Sequence, residues 1–212
     1  LWEEALRFMG RHGWHKEAAE AARKRTAQAP ADPSAWRELA VALYEGGAYG
    51  EATEACARSL GLLPGQQDVV FLRALSLFLS GDRAAADKLL AGLPDSADKP
   101  LVLPLWFLSA HGSGPPRAAL ENHHKGLPEG LHRDILGLLL GKAPEDKTLQ
   151  GCRSPEDLCR ACCYAGYREL FGGNAQRAGE LFKRAVETRA RGRIESRLAQ
   201  AELDRMKGGP RP

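Results

Sequence analysis

The feature that most constrains the fold of this chain is a 34-residue period in its first third. An aromatic residue, a turn glycine, a small alanine and a closing proline return in one register. They are Trp2 and Trp36; Gly13, Gly47 and Gly81; Ala18, Ala52 and Ala86; and Pro30 and Pro64. A period of this length is typical of a helix–turn–helix unit that cannot bury its apolar face alone and is stable only when stacked on its neighbours. The sequence therefore predicts stacked helix pairs, and the surface of the stack is where function is to be sought.

Residues 33–64 carry the pattern most completely. Spacings of three and four residues place Trp36, Leu39 and Ala40 on one side of a first helix, and Ala52 is small where a second helix crosses it closely. A twelve-residue interval separates Leu6 from Ala18, Ala40 from Ala52, Ala74 from Ala86 and Gly166 from Ala178, with Leu6 as the departure from a small pair. This segment resembles a tetratricopeptide repeat (TPR). The resemblance implies an all-α fold, a TPR-like right-handed α-solenoid of about twelve helices with one continuous core.

The register fails after Ala86, because the next matching alanine, Ala178, lies 92 residues further on, ten short of three repeats. Prolines and glycines cut the intervening chain into short predicted helices at 101–111, 116–124 and 128–140, followed by a loop at 141–154. We therefore predict TPR-like repeats at 1–94, irregular or degenerate helical repeats at 95–154, a C-terminal TPR-like repeat with a capping helix at 155–207, and a disordered tail at 208–212.

A strong helix start is predicted at Ser154, which is followed by Pro155 and two acidic residues. The final helix, predicted at 191–207, carries one apolar stripe of Ile194, Leu198 and Ala201. Polar residues surround the stripe: Arg193, Glu195, Arg197, Glu202, Asp204 and Arg205. A solenoid needs a polar outer face on its last element, so this helix is predicted to be a cap.

Composition narrows the class of protein only partly. The chain has 30 basic and 27 acidic residues and a net charge of +3, which does not require nucleic acid or an anionic membrane and leaves both open. The most apolar run, Leu101 to Ala110, contains a proline and is about half the length of a membrane helix, so we expect no membrane span. The chain opens without Met or a signal-like segment, inside a helix of the repeat register, and we expect a fragment or a mature form.

The five cysteines are an odd number in a chain long enough to build its own core, which favours a reducing compartment and a cytoplasmic location. Zinc is one alternative for Cys152, Cys159, Cys162 and Cys163, with His123, His124 and His132 upstream. Redox sensing and an adventitious disulfide between Cys152 and the helix are the others. We favour packing, because Cys159 and Cys163 are four residues apart on a predicted helix, where cysteine behaves as a small apolar residue. Cys56 is assigned to the core, and no metal or cofactor is predicted.

No arrangement of residues at catalytic spacing is found. The three histidines are interpreted as surface or helix-end residues, and residues 112–116 as a turn without the ending of a phosphate loop. Neither a Ser/His/Asp set nor paired carboxylates occur at motif spacing, so the chain is predicted not to be an enzyme.

The TPR resemblance implies that first helices line a concave face. Residues on that face that packing does not require are Glu3, Arg7, Arg11, Ser34, Arg37, Val41, Tyr44, Glu45, Asp68, Phe71, Leu75 and Phe78. We predict that another protein or a peptide binds there through Arg7, Arg37, Val41, Tyr44, Phe71 and Leu75. The alternative is that the helices from Leu101 onward cover the apolar third unit. TPR proteins that hold the terminal carboxylate of a chaperone tail use Lys and Asn, whereas the equivalent helices of this chain offer Arg7 and Arg37 but no Asn, which argues against that ligand.

Two further points come from the C-terminal part. Its repeat, with Tyr164, Gly166, Tyr167 and Phe182, is similar to the last repeat of bacterial TPR lipoprotein adaptors, which recruit proteases and cell-wall enzymes. The alternative function is nucleic-acid or anionic-polymer binding through an Arg-rich cluster, namely Lys183, Arg184, Arg189, Arg191, Arg193 and Arg197. Acidic residues dilute this cluster and no aromatic residue stacks within it, so nucleic acid is the less favoured partner. No oligomeric state follows from the sequence.

Overall fold

The structure is a computed structural model that describes residues 14–93, 99–190 and 193–208, with side chains described except at 99–101. These residues form twelve α-helices, which confirms the all-α prediction. The helices are α1 (His15–Gln28), α2 (Pro33–Glu45), α3 (Tyr49–Leu62), α4 (Gln67–Ser80), α5 (Arg83–Ala91), α6 (Lys99–Ser109), α7 (Gly114–Gly126), α8 (Leu131–Leu140), α9 (Glu145–Gly151), α10 (Pro155–Phe171), α11 (Ala175–Glu187) and α12 (Ile194–Lys207).

The helices fall into two compact units, Leu1–Ser109 and Ala110–Pro212. In the first unit, each helix from α1 to α6 packs against the next one, and α4 also touches α2 and α6. In the second unit, α10 packs against α11, α12 and α8, and the short helix α9 contacts both α8 and α10. This packing of sequential neighbours is consistent with a helical-repeat, solenoid-like arrangement. The boundary between the units falls within the segment predicted to be irregular, and the four-part division of the chain stays a prediction.

The small residues predicted at the helix crossings are buried. Five of them are 0% exposed, namely Ala40, Ala52, Ala74, Ala86 and Ala178. These positions must be small, because a larger side chain would hold the two helices of a pair apart. Gly47 and Gly81, one period apart, both have positive φ values of 80° and 104°, a conformation that glycine adopts without strain. The period thus encodes both the helix crossings and the turns.

Helix starts follow the local chemistry of the chain. The Asp32 side chain accepts a hydrogen bond from the Ser34 backbone N–H at 2.9 Å, and proline occupies the next position after the cap. At α10, the Ser154 hydroxyl accepts from the Asp157 N–H at 3.1 Å and donates to the Asp157 carboxylate at 2.8 Å, which confirms the predicted start. These caps fix where α2 and α10 begin.

Several sequence predictions need correction. Trp36, which the pattern places on the packing side of its helix with Leu39 and Ala40, is only half-buried, and its Nε1 donates to the Pro30 carbonyl at 2.9 Å. The predicted loop at 141–154 contains α9, whose Thr148 is buried and donates its hydroxyl proton to the Pro144 carbonyl. Some predictions concern residues outside the described ones. These are Trp2, Gly13, residues 191–192 of the predicted cap and residues 209–212 of the predicted tail.

Ala52→Leu is expected to lower the free energy of unfolding by about 1–3 kcal/mol, because the crossing of α2 and α3 leaves no room for a larger side chain. Thermal denaturation of the full chain measures the change. Glu54→Leu is the control, since Glu54 is exposed on the same helix and its replacement should stay within about 0.5 kcal/mol. Equal melting of the two variants would show that the proposed register is wrong.

Candidate functional site

The exposed face of α2 carries part of the predicted binding surface. Arg37 and Val41 are four residues apart, so they lie one above the other on the helix. Both are exposed, and Val41 keeps 44% of its surface accessible. Ser34 continues the same face toward the start of the helix and is also exposed. We call Ser34, Arg37 and Val41 the α2 strip.

An ion pair connects the α2 strip to the next first helix. Arg37 Nε lies 2.8 Å from the Asp68 carboxylate on α4, and the two side chains are 48% and 57% exposed. An ion pair as open to water as this one contributes at most about 1 kcal/mol to stability, because water competes for both groups. Either partner can therefore exchange its contact for an incoming group at little cost.

Two of the predicted binding residues are part of the core. Tyr44 is 7% exposed and packs its ring 5.8 Å from that of Tyr49, and Leu75 is 2% exposed. Phe78 is fully buried, with the Arg83 guanidinium 5.0 Å from its ring centre. The expectation that packing does not need these residues is wrong. Helix α4 lies between α2 and α6, so its apolar side is used for packing inside the unit.

The remaining predicted residues divide into two groups. Phe71 is half-buried beside the exposed Asp68 at the start of α4. Arg7, together with Glu3 and Arg11, lies outside the described residues. The structure therefore places the exposed Arg37 and Val41 and the half-buried Phe71 on two neighbouring helices of the first unit.

A polar cluster that sequence analysis missed holds the start of α2 in place. Arg25 on α1 forms ion pairs with Glu38 and with Asp32, the latter at 3.0 Å. The hydrogen bond to Glu38 is the main reason that the pKa of Arg25 is raised, with Asp32 acting in the same direction. These contacts orient the helix that presents the α2 strip. The only sequence signal was the capping position of Asp32.

The cysteines behave as buried apolar residues. Cys56, Cys159, Cys162 and Cys163 are each 0% exposed, and all five thiols are free. Burial raises the pKa of Cys56 to about 12 and that of Cys162 to about 11, so these thiols are protonated near neutral pH and are poor nucleophiles. Within the described residues, no group of three His, Cys, Asp or Glu side chains is placed to hold a metal ion.

The three histidines considered as metal ligands, His123, His124 and His132, lie at helix ends, as expected. His123 and His124 are in the last turn of α7, and His132 is in the first turn of α8. The Arg160 Nη1 lies 3.3 Å from the Nδ1 of His132. Desolvation is the main cause that lowers the pKa of both His124 and His132.

The basic cluster is less open than its sequence suggests. Lys183 pairs with Glu187 at 3.8 Å, and Arg193 is half-buried with its Nε 4.0 Å from Glu195. Arg184 and Arg189 are exposed. Arg197 is half-buried, and Arg191 lies outside the described residues.

The last helix buries two acidic residues that were assigned to its polar surface. Glu195 and Glu202 each have 5% of the side chain exposed. Arg160 Nε donates to Glu195 at 3.2 Å, and the Tyr167 hydroxyl donates to Glu202 at 3.0 Å. The prediction was wrong because the acidic residues were judged by type alone. Their seven-residue spacing, which puts them on the same face as Leu198, was the available signal.

Comparisons with known proteins do not identify a family for this chain. No protein-family model matches the chain, and no curated protein matches it either.

Among the described residues, no helix is both long enough and apolar enough to cross a membrane.

Proposed function

We propose that this chain is a TPR-like α-solenoid that acts as a protein-interaction scaffold or adaptor and has no catalytic role. The 34-residue period, the buried small residues at the crossings and the packing of sequential helices support the repeat assignment. Repeat proteins of this kind expose an extended face on one side of the stack, and such faces bind peptides or helices.

The single observation that carries the proposal is the α2 strip with its ion pair to α4. Within the described part of the chain, Arg37 offers a guanidinium that is paired with an exposed carboxylate, and Val41 offers an exposed apolar side chain one helical turn away. Arginine is among the residue types that most often anchor protein interfaces. A peptide, helix or partner subunit that presents a carboxylate beside an apolar side chain would match both groups.

Arg37→Ala combined with Val41→Ala is expected to weaken binding of a partner peptide by about 2 kcal/mol, or about thirtyfold in Kd. The peptide is obtained by selecting a displayed random-peptide library on the intact chain, and its affinity is measured by fluorescence anisotropy. The melting curve should stay nearly unchanged, because both side chains are exposed.

A matched control lies on the second helix of the same pair. Glu54 and Arg58 are exposed on α3, four residues apart, and their double replacement by alanine should leave the affinity unchanged. Equal losses for the two double variants, or no loss for Arg37 and Val41, would contradict the proposal.

The alternative proposal is binding of nucleic acid or another anionic polymer through the basic cluster. The exposed Arg184 and Arg189 favour it. Binding through several phosphates would fall steeply between about 50 and 200 mM salt, whereas binding through the one arginine and one apolar side chain of the α2 strip would respond much less. Charge reversal at Arg184 and Arg189 separates the two proposals: loss of binding there, with the α2 strip variant intact, would favour the polymer.

The location that we propose is the reducing environment of the cytoplasm. All five cysteines are free thiols, and the raised pKa values of the buried ones fit residues kept for packing and not for disulfide exchange.

A further inference from the structure

Three side chains near the starts of three helices form a continuous polar row in the second unit. Arg160, on α10, lies between His132 in the first turn of α8 and Glu195 in the first turn of α12. Its Nε is 3.2 Å from the Glu195 carboxylate and its Nη1 is 3.3 Å from the His132 Nδ1. One guanidinium thus contacts two neighbouring helices at once.

The chemistry of arginine fixes the state of the imidazole in this contact. A guanidinium has only donors, so the Nδ1 of His132 must accept the hydrogen bond and carries no proton. His132 is therefore neutral here, with its proton on Nε2, and a second proton can be added only at Nδ1. The buried carboxylate of Glu195 stays paired with Arg160 whether His132 is neutral or protonated.

We propose that His132 is a pH-sensitive contact: a proton taken up at Nδ1 removes the acceptor for Arg160 and loosens the start of α8 where it meets α10. The added proton also sets two cations face to face at the present 3.3 Å. Arg160 stays with Glu195, so α12 keeps its place while the start of α8 is released. His132 is exposed on one side, which gives the proton a path from solvent.

The surroundings of His132 act against protonation. Desolvation of the ring, the Arg160 guanidinium on α10 and His123 on α7 each lower the pKa of His132. The positive end of the α8 dipole acts in the same direction. Because the unfolded chain takes up this proton first as pH falls, the contact stabilises the fold above the ordinary histidine pKa of about 6.5. That contribution is lost as pH falls below this value toward the lower pKa of the folded state.

The test is a pH titration of the full chain, labelled with nitrogen-15 in its histidines and followed by nuclear magnetic resonance. At pH 7.5 His132 should show the tautomer with the proton on Nε2, and its midpoint should lie below that of the chain unfolded in urea. Arg160→Met together with Glu195→Gln, which removes both charges so that no buried carboxylate is left unpaired, should move the midpoint upward. Arg133→Met is the control: Arg133 lowers the pKa of His124, so only the His124 midpoint should move.

A stability measurement links the titration to packing. The melting midpoint of the wild type should fall from pH 7.5 to pH 5.5, and His132→Gln should fall less, because its amide oxygen can accept from Arg160 without titrating. The proposal is overturned by a proton on Nδ1 at pH 7.5, by a His132 midpoint that ignores the loss of Arg160, or by equal pH dependence in wild type and His132→Gln.

Discussion

Gly166→Leu is expected to lower the free energy of unfolding of the second unit by about 3 kcal/mol or more, because α10 and α11 meet at this glycine without space for a side chain. A Cβ at this position would stand 2.6 Å from Cε1 and 2.7 Å from Cδ1 of Phe182. Phe182 is itself 0% exposed, so its ring is enclosed by the protein. For a unit of about 100 residues, the thermal midpoint should fall by about 10 °C or more.

Two comparisons isolate the cause of this loss. Gly61→Leu introduces the same side chain into a helix where, among the described residues, no atom beyond the helix's own nearby backbone lies within 4 Å of the new Cβ, and it should not destabilise the chain. Gly166→Leu combined with Phe182→Ala should cost less than the sum of the two single changes, since the alanine removes the ring that the leucine meets. Additive costs would contradict the close crossing at Gly166.

Glu202→Ala is the second change with a large expected effect, about 3–5 kcal/mol. It removes a buried carboxylate that accepts from the Tyr167 hydroxyl and forms an ion pair with Arg205. Tyr167 and Arg205 are both largely buried, so water cannot readily replace the carboxylate as their hydrogen-bond acceptor. Urea denaturation of the full chain measures the cost.

The matched variants concern the polarity of the same site. Glu202→Gln keeps an acceptor for Tyr167 and should cost less than the alanine variant. Glu202→Leu with Tyr167→Phe and Arg205→Met removes the carboxylate together with the hydroxyl and the guanidinium that donate to it, and should recover much of the lost stability. If Glu202→Ala costs under about 0.5 kcal/mol, as an exposed residue would, the last helix does not bury its acidic face.

The repeat period predicted the parts of the fold that depend on residue size. Ala52 and Gly166 stand where two helices cross, and a crossing demands a small side chain whatever the rest of the sequence does. The capped start at Ser154 was predictable for a similar reason, because a cap is satisfied by residues within one turn.

The candidate site was predicted only in part, because exposure depends on helices that do not follow the period. Arg37 and Val41 are accessible as expected, whereas Tyr44 and Leu75 are buried. Their helices have neighbours on both sides, and one of these, α6, comes from the irregular segment. The buried Glu195 was missed because its partner Arg160 lies 35 residues earlier, beyond any local pattern.

Hydrogen–deuterium exchange of the full chain, with and without the selected peptide, tests the proposed function most directly. Binding through the α2 strip predicts added protection in α2 and at the start of α4, residues 33–45 and 67–71, and little change in α11 and α12. Protection confined to α11 and α12, with α2 exchanging as in the free protein, would contradict the account and move the binding surface to the basic cluster.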